Sequence, residues 1–419
     1  MAIKDDAYEI KVIKAKVPKK CICPDCGQEQ PFKKYHEHWK KVKDLSLNKP
    51  MILTVQRLSA KCLNPSCKRR SFVLQMPEIK RYQRATERVK REAIDKNILD
   101  NIPYQRAAKS LARLNTSGSK SSIDRWKQRE AEKYSFKEII GKLNFSGILS
   151  IDEYKPRKAK HYDLIAGDAL KWHILYLETI AFSSSRAGTI GRGSIEDFCW
   201  HLRELGIKPR AIIFDLLAVY PKQVRRVWPG IIMQFDYFHI MQKIHKHLKD
   251  MLIAFRRSLK GEEWQFHREE LWENRWRLLK NMDKWNVTDH EIISELIQIY
   301  AGTPVEKALI FKEQLFEIFD MSRSKEEAYE RKDKLFQERW WRGSRHLQKI
   351  MKFLMSPKFK YMITYLENKG IPRSGNIENM IKQWRDMERP RFGFKTEKGK
   401  QNHLKLYQMK HYLEESVFA

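Results

Sequence analysis

Three short apolar runs each carry an aspartate: GILSIDEY (147–154) holds Asp152, PRAIIFDLLAVY (209–220) holds Asp215, and GIIMQFDYFHI (230–240) holds Asp236. Brief apolar runs bounded by Gly or Pro read as buried strands. A carboxylate in or at the end of such a strand is expensive to bury unless something positive meets it. The chain must therefore build a buried sheet with acids at its edge, and must give those acids a partner.

The neighbouring pattern orders these strands. HYDLIAGDAL and WHILYLETIAFSS alternate as two further strands, read as antiparallel hairpin partners. SIEDFCWHLRELG is an amphipathic helix and YPKQVRRVW a short one. Three strands, a helix, a strand, a helix and a strand is the order of an RNase H-like α/β fold. In such a sheet the first and fourth strands are neighbours, so Asp152 and Asp215 point to one edge. Asp163, Asp168 and Glu153 are nearby alternatives to Asp152, although alternation sends Glu153 to the opposite face. Glu196 and Asp197 belong to a solvated helix start. Asp236 reads as a supporting acid at the fifth strand. His239 either positions phosphate or water, or is a satisfied core histidine.

Residues 240–370 show helical periodicity with no strand pattern, and are rich in Trp: Trp264, Trp272, Trp276, Trp285, Trp340 and Trp341. This stretch reads as an all-helical insertion whose tryptophans are mostly core. RSGNIENMIKQWRDMERPRFGF (373–394) follows. Ser374 or Asn376 can cap a helix there, with Ile377, Met380, Ile381, Trp384 and Met387 on one apolar stripe. Glu378 then has two readings. One is structural: a first-turn acid favoured by the helix dipole, four residues before Lys382. The other is a third carboxylate delivered to the edge that carries Asp152 and Asp215. Three carboxylates can hold two Mg²⁺ or Mn²⁺ ions about 3.5–4 Å apart. Lys382 pairs with Glu378 or touches a phosphate.

Five of the six cysteines, Cys21, Cys23, Cys26, Cys62 and Cys67, fall in the first 67 residues. CICPDCG and CLNPSCKRR read as two knuckles separated by the strand-like MILTVQRL. Cys23, Cys26, Cys62 and Cys67 are the expected ligands of a structural Zn²⁺, with Cys21, His36 and His38 as alternatives. Residues 84–134 read as three helices. The third, SKSSIDRWKQREAEKY, has Ser121 or Ser122 as its cap and turns Ile123, Trp126 and Tyr134 inward. Lys120, Ser122, Arg125, Lys127 and Gln128 are then the candidate DNA contacts of a helix-turn-helix. A plain helical linker bundle is the alternative.

The net charge is +31, with 83 Lys+Arg against 52 Asp+Glu. So large an excess favours a polyanionic partner, nucleic acid first and an anionic membrane surface second. No run approaches the 18 or so apolar residues of a membrane span, and MAIKDDAYEIKVIKAKVPKK lacks the apolar core of a signal peptide. A cytoplasmic location is expected. The expected domains are a zinc-binding domain (1–78), a helix-turn-helix (79–140), the first part of the core (141–240), the helical insertion (241–370), and the last core helix with a basic tail (371–419). The fold class is multidomain α+β/α/β.

SIDEY, IIFDLLAVYP, FDYFH and GNIENMIKQWR…RFGF resemble the motifs of DDE transposases of the ISL-three group of bacterial and archaeal insertion sequences. The resemblance covers nearly the whole chain. Its most specific pieces are Asp236 to His239 and the pattern Asn376, Glu378, Lys382. Leu216 and Leu217 stand where the group usually has Met and Ser, and Tyr237 where it has Arg. The resemblance implies a catalytic triad of Asp152, Asp215 and Glu378. It also implies double-stranded DNA partners, both inverted-repeat transposon ends and target DNA, with metal-dependent cleavage and strand transfer. A homodimer or larger synaptic assembly in a nucleoid-associated setting follows. The alternatives are a transposase-derived DNA-binding regulator without catalysis, and a nuclease that never joins strands.

Overall fold

The computed structural model describes residues 9–44, 51–74, 84–113, 119–156, 161–180, 192–391 and 393–414. Residues 116–118 of the TSGS break, 181–184 at the end of the third predicted strand of the sheet, and Phe392 of the RFGF motif lie outside them. The chain forms two compact units, Met1–Ile139 with Asp386–Ala419, and Ile140–Arg385. Among the described residues no helix is long and apolar enough to cross a membrane.

In the first unit, β1 (Glu9–Ile13), β2 (Lys20–Ile22), β3 (Glu29–Pro31), β4 (Lys34–Asp44), β5 (Met51–Lys61) and β6 (Ser71–Val73) come first. The predicted MILTVQRL strand is β5, the centre of its sheet, with β1 parallel to it and β4 and β6 antiparallel. Leu53 and Val55 alternate inward and meet Val42 of β4. β2 and β3 form a separate hairpin. Three helices follow: α1 (Glu87–Ile98), α2 (Tyr104–Arg113) and α3 (Lys120–Ala131). Ala93, Ala107, Leu111 and Ile123 form their shared core. The cap of α3 is Ser119, whose Oγ accepts the Ser122 N–H, rather than Ser121 or Ser122. The chain continues into α4 (Phe136–Lys142).

The second unit holds β7 (Ile148–Tyr154), β8 (Tyr162–Asp168), β9 (His173–Ile180), α5 (Arg192–Glu204), β10 (Ala211–Phe214), α6 (Tyr220–Val227) and β11 (Ile232–Phe235), in the order expected. The sheet runs β11-β10-β7-β8-β9. β7, β10 and β11 are parallel; β8 pairs antiparallel with β7, and β9 antiparallel with β8. All four residues of β10 are buried, which explains its unbroken apolar run.

Helices then take over: α7 (Tyr237–Ser258), α8 (Gln265–Glu273), α9 (Arg275–Leu279), α10 (Val287–Ile299), α11 (Pro304–Phe316), α12 (Lys325–Glu338), α13 (Arg345–Leu354) and α14 (Phe359–Met362). α8, α9, α11 and α13 all pack on α7. The tryptophans differ from expectation. Trp341 is buried, but Trp264, Trp272 and Trp276 are exposed. Arg256 and Arg275 stack on Trp272, and Lys249 on Trp276. A helix face can display indole when a cation covers its π surface. Next comes α15 (Ile377–Glu388), with Ile377, Met380, Ile381, Trp384 and Met387 all buried, as the apolar stripe required.

The expected basic tail is folded. From Asp386 onward the chain belongs to the first unit. There α16 (Glu397–Tyr407) and the π-helical Gln408–Glu414 pack, with α16 against α3. Leu404 and Leu406 are buried, and Lys410 reaches Asp95 at 2.6 Å, so lysine-rich sequence hides an apolar seam.

Candidate active site

Strand register creates the acid edge. Ile151 pairs with Phe214, and Phe214 with Phe235, on adjacent parallel strands. One residue further on, Asp152, Asp215 and Asp236 come side by side where β10 and β11 end. Asp152 and Asp236 are buried, and Asp215 is half-buried. One oxygen each of Asp152, Asp215 and Glu153 lies within 4.8 Å of the others.

Glu378 reaches this edge because the chain before α15 is tied to the sheet. Gln234 of β11 donates its Nε2 to the Pro372 and Arg373 carbonyls at 2.7 and 3.1 Å. Tyr237 N–H donates to Arg373 O at 3.1 Å. Asp236 accepts from Ser374 Oγ at 2.8 Å and from Gly375 N at 3.0 Å. Gly375 lies hard against β7: a Cβ there would sit 2.0 Å from Ser150 Oγ. Asn376 takes a left-handed φ of 53°, turning the chain into α15. α15 then crosses the sheet face, with Met380 filling the space over Gly167 of β8 and Arg385 over the Tyr154 ring. Glu378 ends within 4.8 Å of Asp152 and His239. Ser374 is thus spent on Asp236 and does not cap the helix. Lys382 is exposed, and among the described residues it makes no ion pair with Glu378.

His239, in the first turn of α7, is the cation of the cluster. Its Nε2 lies 3.5 Å from Asp152 Oδ2 and its Nδ1 3.5 Å from Asp215 Oδ1. Burial works against its charge, but the two aspartates outweigh that and raise it to about 9. Burial, then the charge of Asp152, pushes the Glu153 carboxyl up to about 8. Burial and Asp152 likewise raise Glu378. Asp152 thus belongs to two overlapping clusters, one with His239 and Glu378 and one with Glu153 and Asp215, and among the described residues His239 Nε2 is buried without a hydrogen-bond partner. Oxygen donors crowded in this way fit a hard divalent cation.

Asp236 acts differently from its neighbours. Both of its oxygens are used, one of them also capping α7 through Phe238 N at 2.9 Å. It holds the loop that delivers Glu378. Asp163 and Asp168 are committed elsewhere, to Thr179 Oγ1 and to Ser146. Glu153 corrects the sequence reading. Alternation fixes where a side chain starts, but at a strand end the longer Glu arm reaches the shared edge. There Tyr220, fully buried at the start of α6, donates to its Oε1 at 2.7 Å. The adjacent Asp-Glu pair was the available signal. Nothing in the local pattern pointed to Tyr220.

In the first unit, the Sγ atoms of Cys23, Cys26, Cys62 and Cys67 lie within 4.8 Å of one another. Cys23 and Cys67 are 3.9 Å apart, Cys26 and Cys62 3.8 Å. Zn–S bonds of about 2.3 Å give a tetrahedral edge of about 3.8 Å, so the cluster is compatible with zinc. The Cys26 backbone N–H leads the interactions that draw the Cys23 thiol down to about 7, toward thiolate. Cys21 packs in the adjacent core, and His36 and His38 stack on each other on exposed positions of β4, outside the cluster.

On α3, Lys120 and Arg125 are exposed and Ser122 is half-buried beside the N-terminus. Gln128 is half-buried and donates to Asp124 at 2.9 Å. Lys127 is a correction: it is 3% exposed, with Nζ 2.9 Å from His403 Nδ1 and over the Tyr104 and Phe394 rings. Tyr104 of α2 and His403 of α16 together cover this position.

No curated protein matches the chain significantly. A family model for ISL3-type DDE transposases, described as "Transposase", matches residues 149–399 and so includes the acid edge, the helical stretch and α15. That match spans more than half of the chain, which therefore belongs to the ISL3 family of DDE transposases.

Proposed function

We propose that this transposase binds the terminal inverted repeats of its element and catalyses metal-dependent strand cleavage and strand transfer at Asp152, Asp215 and Glu378. The convergence of Glu378 with Asp152 and His239 on the edge that Asp215 shares carries this reading. The strand order β11-β10-β7-β8-β9, with only β8 running against the other four, supports an RNase H-like core. The helices between β11 and α15 are then its insertion.

Mg²⁺ or Mn²⁺ held by these three carboxylates would supply an activated water or 3′-hydroxyl and neutralise the leaving oxygen. The chain itself does the positioning. Asp236 and Gly375 fix the entry of α15 and so set Glu378 against Asp152. His239 holds Asp152 and Asp215 in one arrangement until a cation replaces its charge. The Tyr220 hydroxyl orients Glu153 behind the pair. Zn²⁺ at Cys23, Cys26, Cys62 and Cys67 would brace the N-terminal fold. The α1–α3 helices would read the DNA ends as a helix-turn-helix, through Lys120, Ser122, Arg125 and Gln128. Joining two ends calls for a homodimer or larger assembly on DNA.

Cleavage of a labelled inverted-repeat end with Mn²⁺ tests the reading. The parent should nick the end and join it to target DNA, while Asp152→Ala should bind the end and leave it intact. Cleavage that survives Asp152→Ala overturns the site. Binding without cleavage in the parent selects a catalytically inactive regulator, and nicking without joining selects a nuclease.

A further inference from the structure

The helical stretch carries a second cluster that the acid edge does not use. His247 and Asp250 lie three residues apart on α7 and share a face of that helix. α13 packs against α7 and brings His346, its second residue, to the same place. One donor atom from each of the three lies within 4.8 Å of the other two.

These groups do not satisfy one another. Nδ1 of His247 and Nδ1 of His346 are both buried without a hydrogen-bond partner among the described residues. Asp250 makes no hydrogen bond or ion pair among them either, in a chain with 83 lysines and arginines. A buried imidazole nitrogen without a partner costs free energy unless something fills the gap. A half-buried carboxylate clustered with two such imidazoles makes the missing group a cation.

The donor set identifies its class. Two imidazoles and one carboxylate suit a borderline transition dication such as Zn²⁺, Co²⁺ or Ni²⁺, and suit Mg²⁺ or Ca²⁺ poorly. Zn–N bonds of about 2.0–2.1 Å ask for donor spacings of about 3.4 Å, which the flexible ends of these three side chains can meet. Burial holds both imidazoles below their usual value, and Lys349 works in the same direction at each, which keeps them neutral and able to ligate. The same Lys349, with Lys243 beside His247, opposes a dication, and Asp250 offsets that charge.

We propose that His247, Asp250 and His346 form a transition-metal site that staples α13 to α7, separate from the cysteine cluster and from the acid edge. α7 is the helix that starts at Asp236 and carries His239, so the staple braces the element that positions the acid edge. Three protein ligands leave a fourth position for water.

Co²⁺ titration of the full chain reads this out, with any affinity tag removed, zinc loaded at the cysteines and excess Mg²⁺ covering oxygen-only sites. One equivalent of Co²⁺ should bind with visible ligand-field bands that lack thiolate charge-transfer absorption, and should raise the melting temperature. His346→Gln and Asp250→Asn should each abolish those bands while keeping zinc content and helical circular dichroism. His247→Asn provides a third variant should either of those lose its helical signal. Asp152→Asn should leave the bands intact. Co²⁺ uptake only with thiolate absorption, or bands that survive all three substitutions, would overturn the proposal.

Discussion

Asp236 holds Gly375: its Oδ2 accepts the Gly375 N–H at 3.0 Å, while its Oδ1 accepts the Ser374 hydroxyl at 2.8 Å and the Phe238 N–H at 2.9 Å. One carboxylate thus ties the end of β11, the start of α7 and the entry to α15. Asp236→Ala leaves these donors unsatisfied in a buried site, for a loss of about 1–3 kcal/mol. End cleavage should fall at least a hundredfold while end binding holds. Urea denaturation and a gel-shift assay measure the two effects, and cleavage at parent level would remove Asp236 from this positioning role.

Gly375 is the narrowest point between α15 and the sheet. Gly375→Ala places a methyl 2.0 Å from Ser150 Oγ and 2.7 Å from its Cβ. Overpacking of this kind costs about 1–3 kcal/mol. Pairing it with Ser150→Gly should restore part of both stability and cleavage. A double-mutant cycle on the urea midpoint checks this, and strict additivity would show that the two do not meet.

Lys127 and Arg125 lie on the same helix but should behave oppositely on DNA. Arg125→Ala should weaken end binding and lower the slope of log K against log salt by about 1. Lys127→Met should leave that slope unchanged. Fluorescence anisotropy across a salt series distinguishes them.

His403 is fully buried against Lys127, and burial holds both well below their ordinary values. A base with a depressed pKa in the folded state binds more protons once unfolded, so stability rises with pH. For His403 that gain is complete above its unfolded value of about 6.5 and is lost as pH falls toward its folded value. The urea midpoint should therefore drop between pH 7 and pH 5, read by circular dichroism. His403→Phe should flatten the slope over that window.

Removal of metal from the cysteine cluster should unfold its surroundings. Cys67→Ala should lose one equivalent of zinc and abolish end binding, while circular dichroism keeps most of the helical signal. Zinc content that is unchanged by the substitution would refute the ligand set.

Local pattern carried much of this molecule. Short apolar runs marked β5, β7, β10 and β11, alternation marked β8 and β9, the 3.6-residue stripe from Ile377 to Met387 marked α15, and paired cysteines marked the thiol cluster. These signals are local because burial of one face is repeated every two or four residues. The acids at Asp152 and Asp215 were legible for the same reason, since a charge interrupting an apolar strand stands out.

Other features depended on partners far away in the chain. Lys127 looked solvated until α16, about 270 residues later, covered it. Glu153 looked turned away until the end of β7 let its longer arm reach the edge, where Tyr220 holds it. Asp236 looked like one more acid until Ser374 and Gly375 occupied its oxygens. Sequence alone thus determined the strands of the acid-bearing sheet, the helix α15 and which acids sit on that sheet, because backbone periodicity and the cost of buried charge act at short range. Tertiary structure alone decided which of those acids remain open to a cation and which are consumed in holding the fold, because hydrogen bonds and ion pairs are set by approach in space.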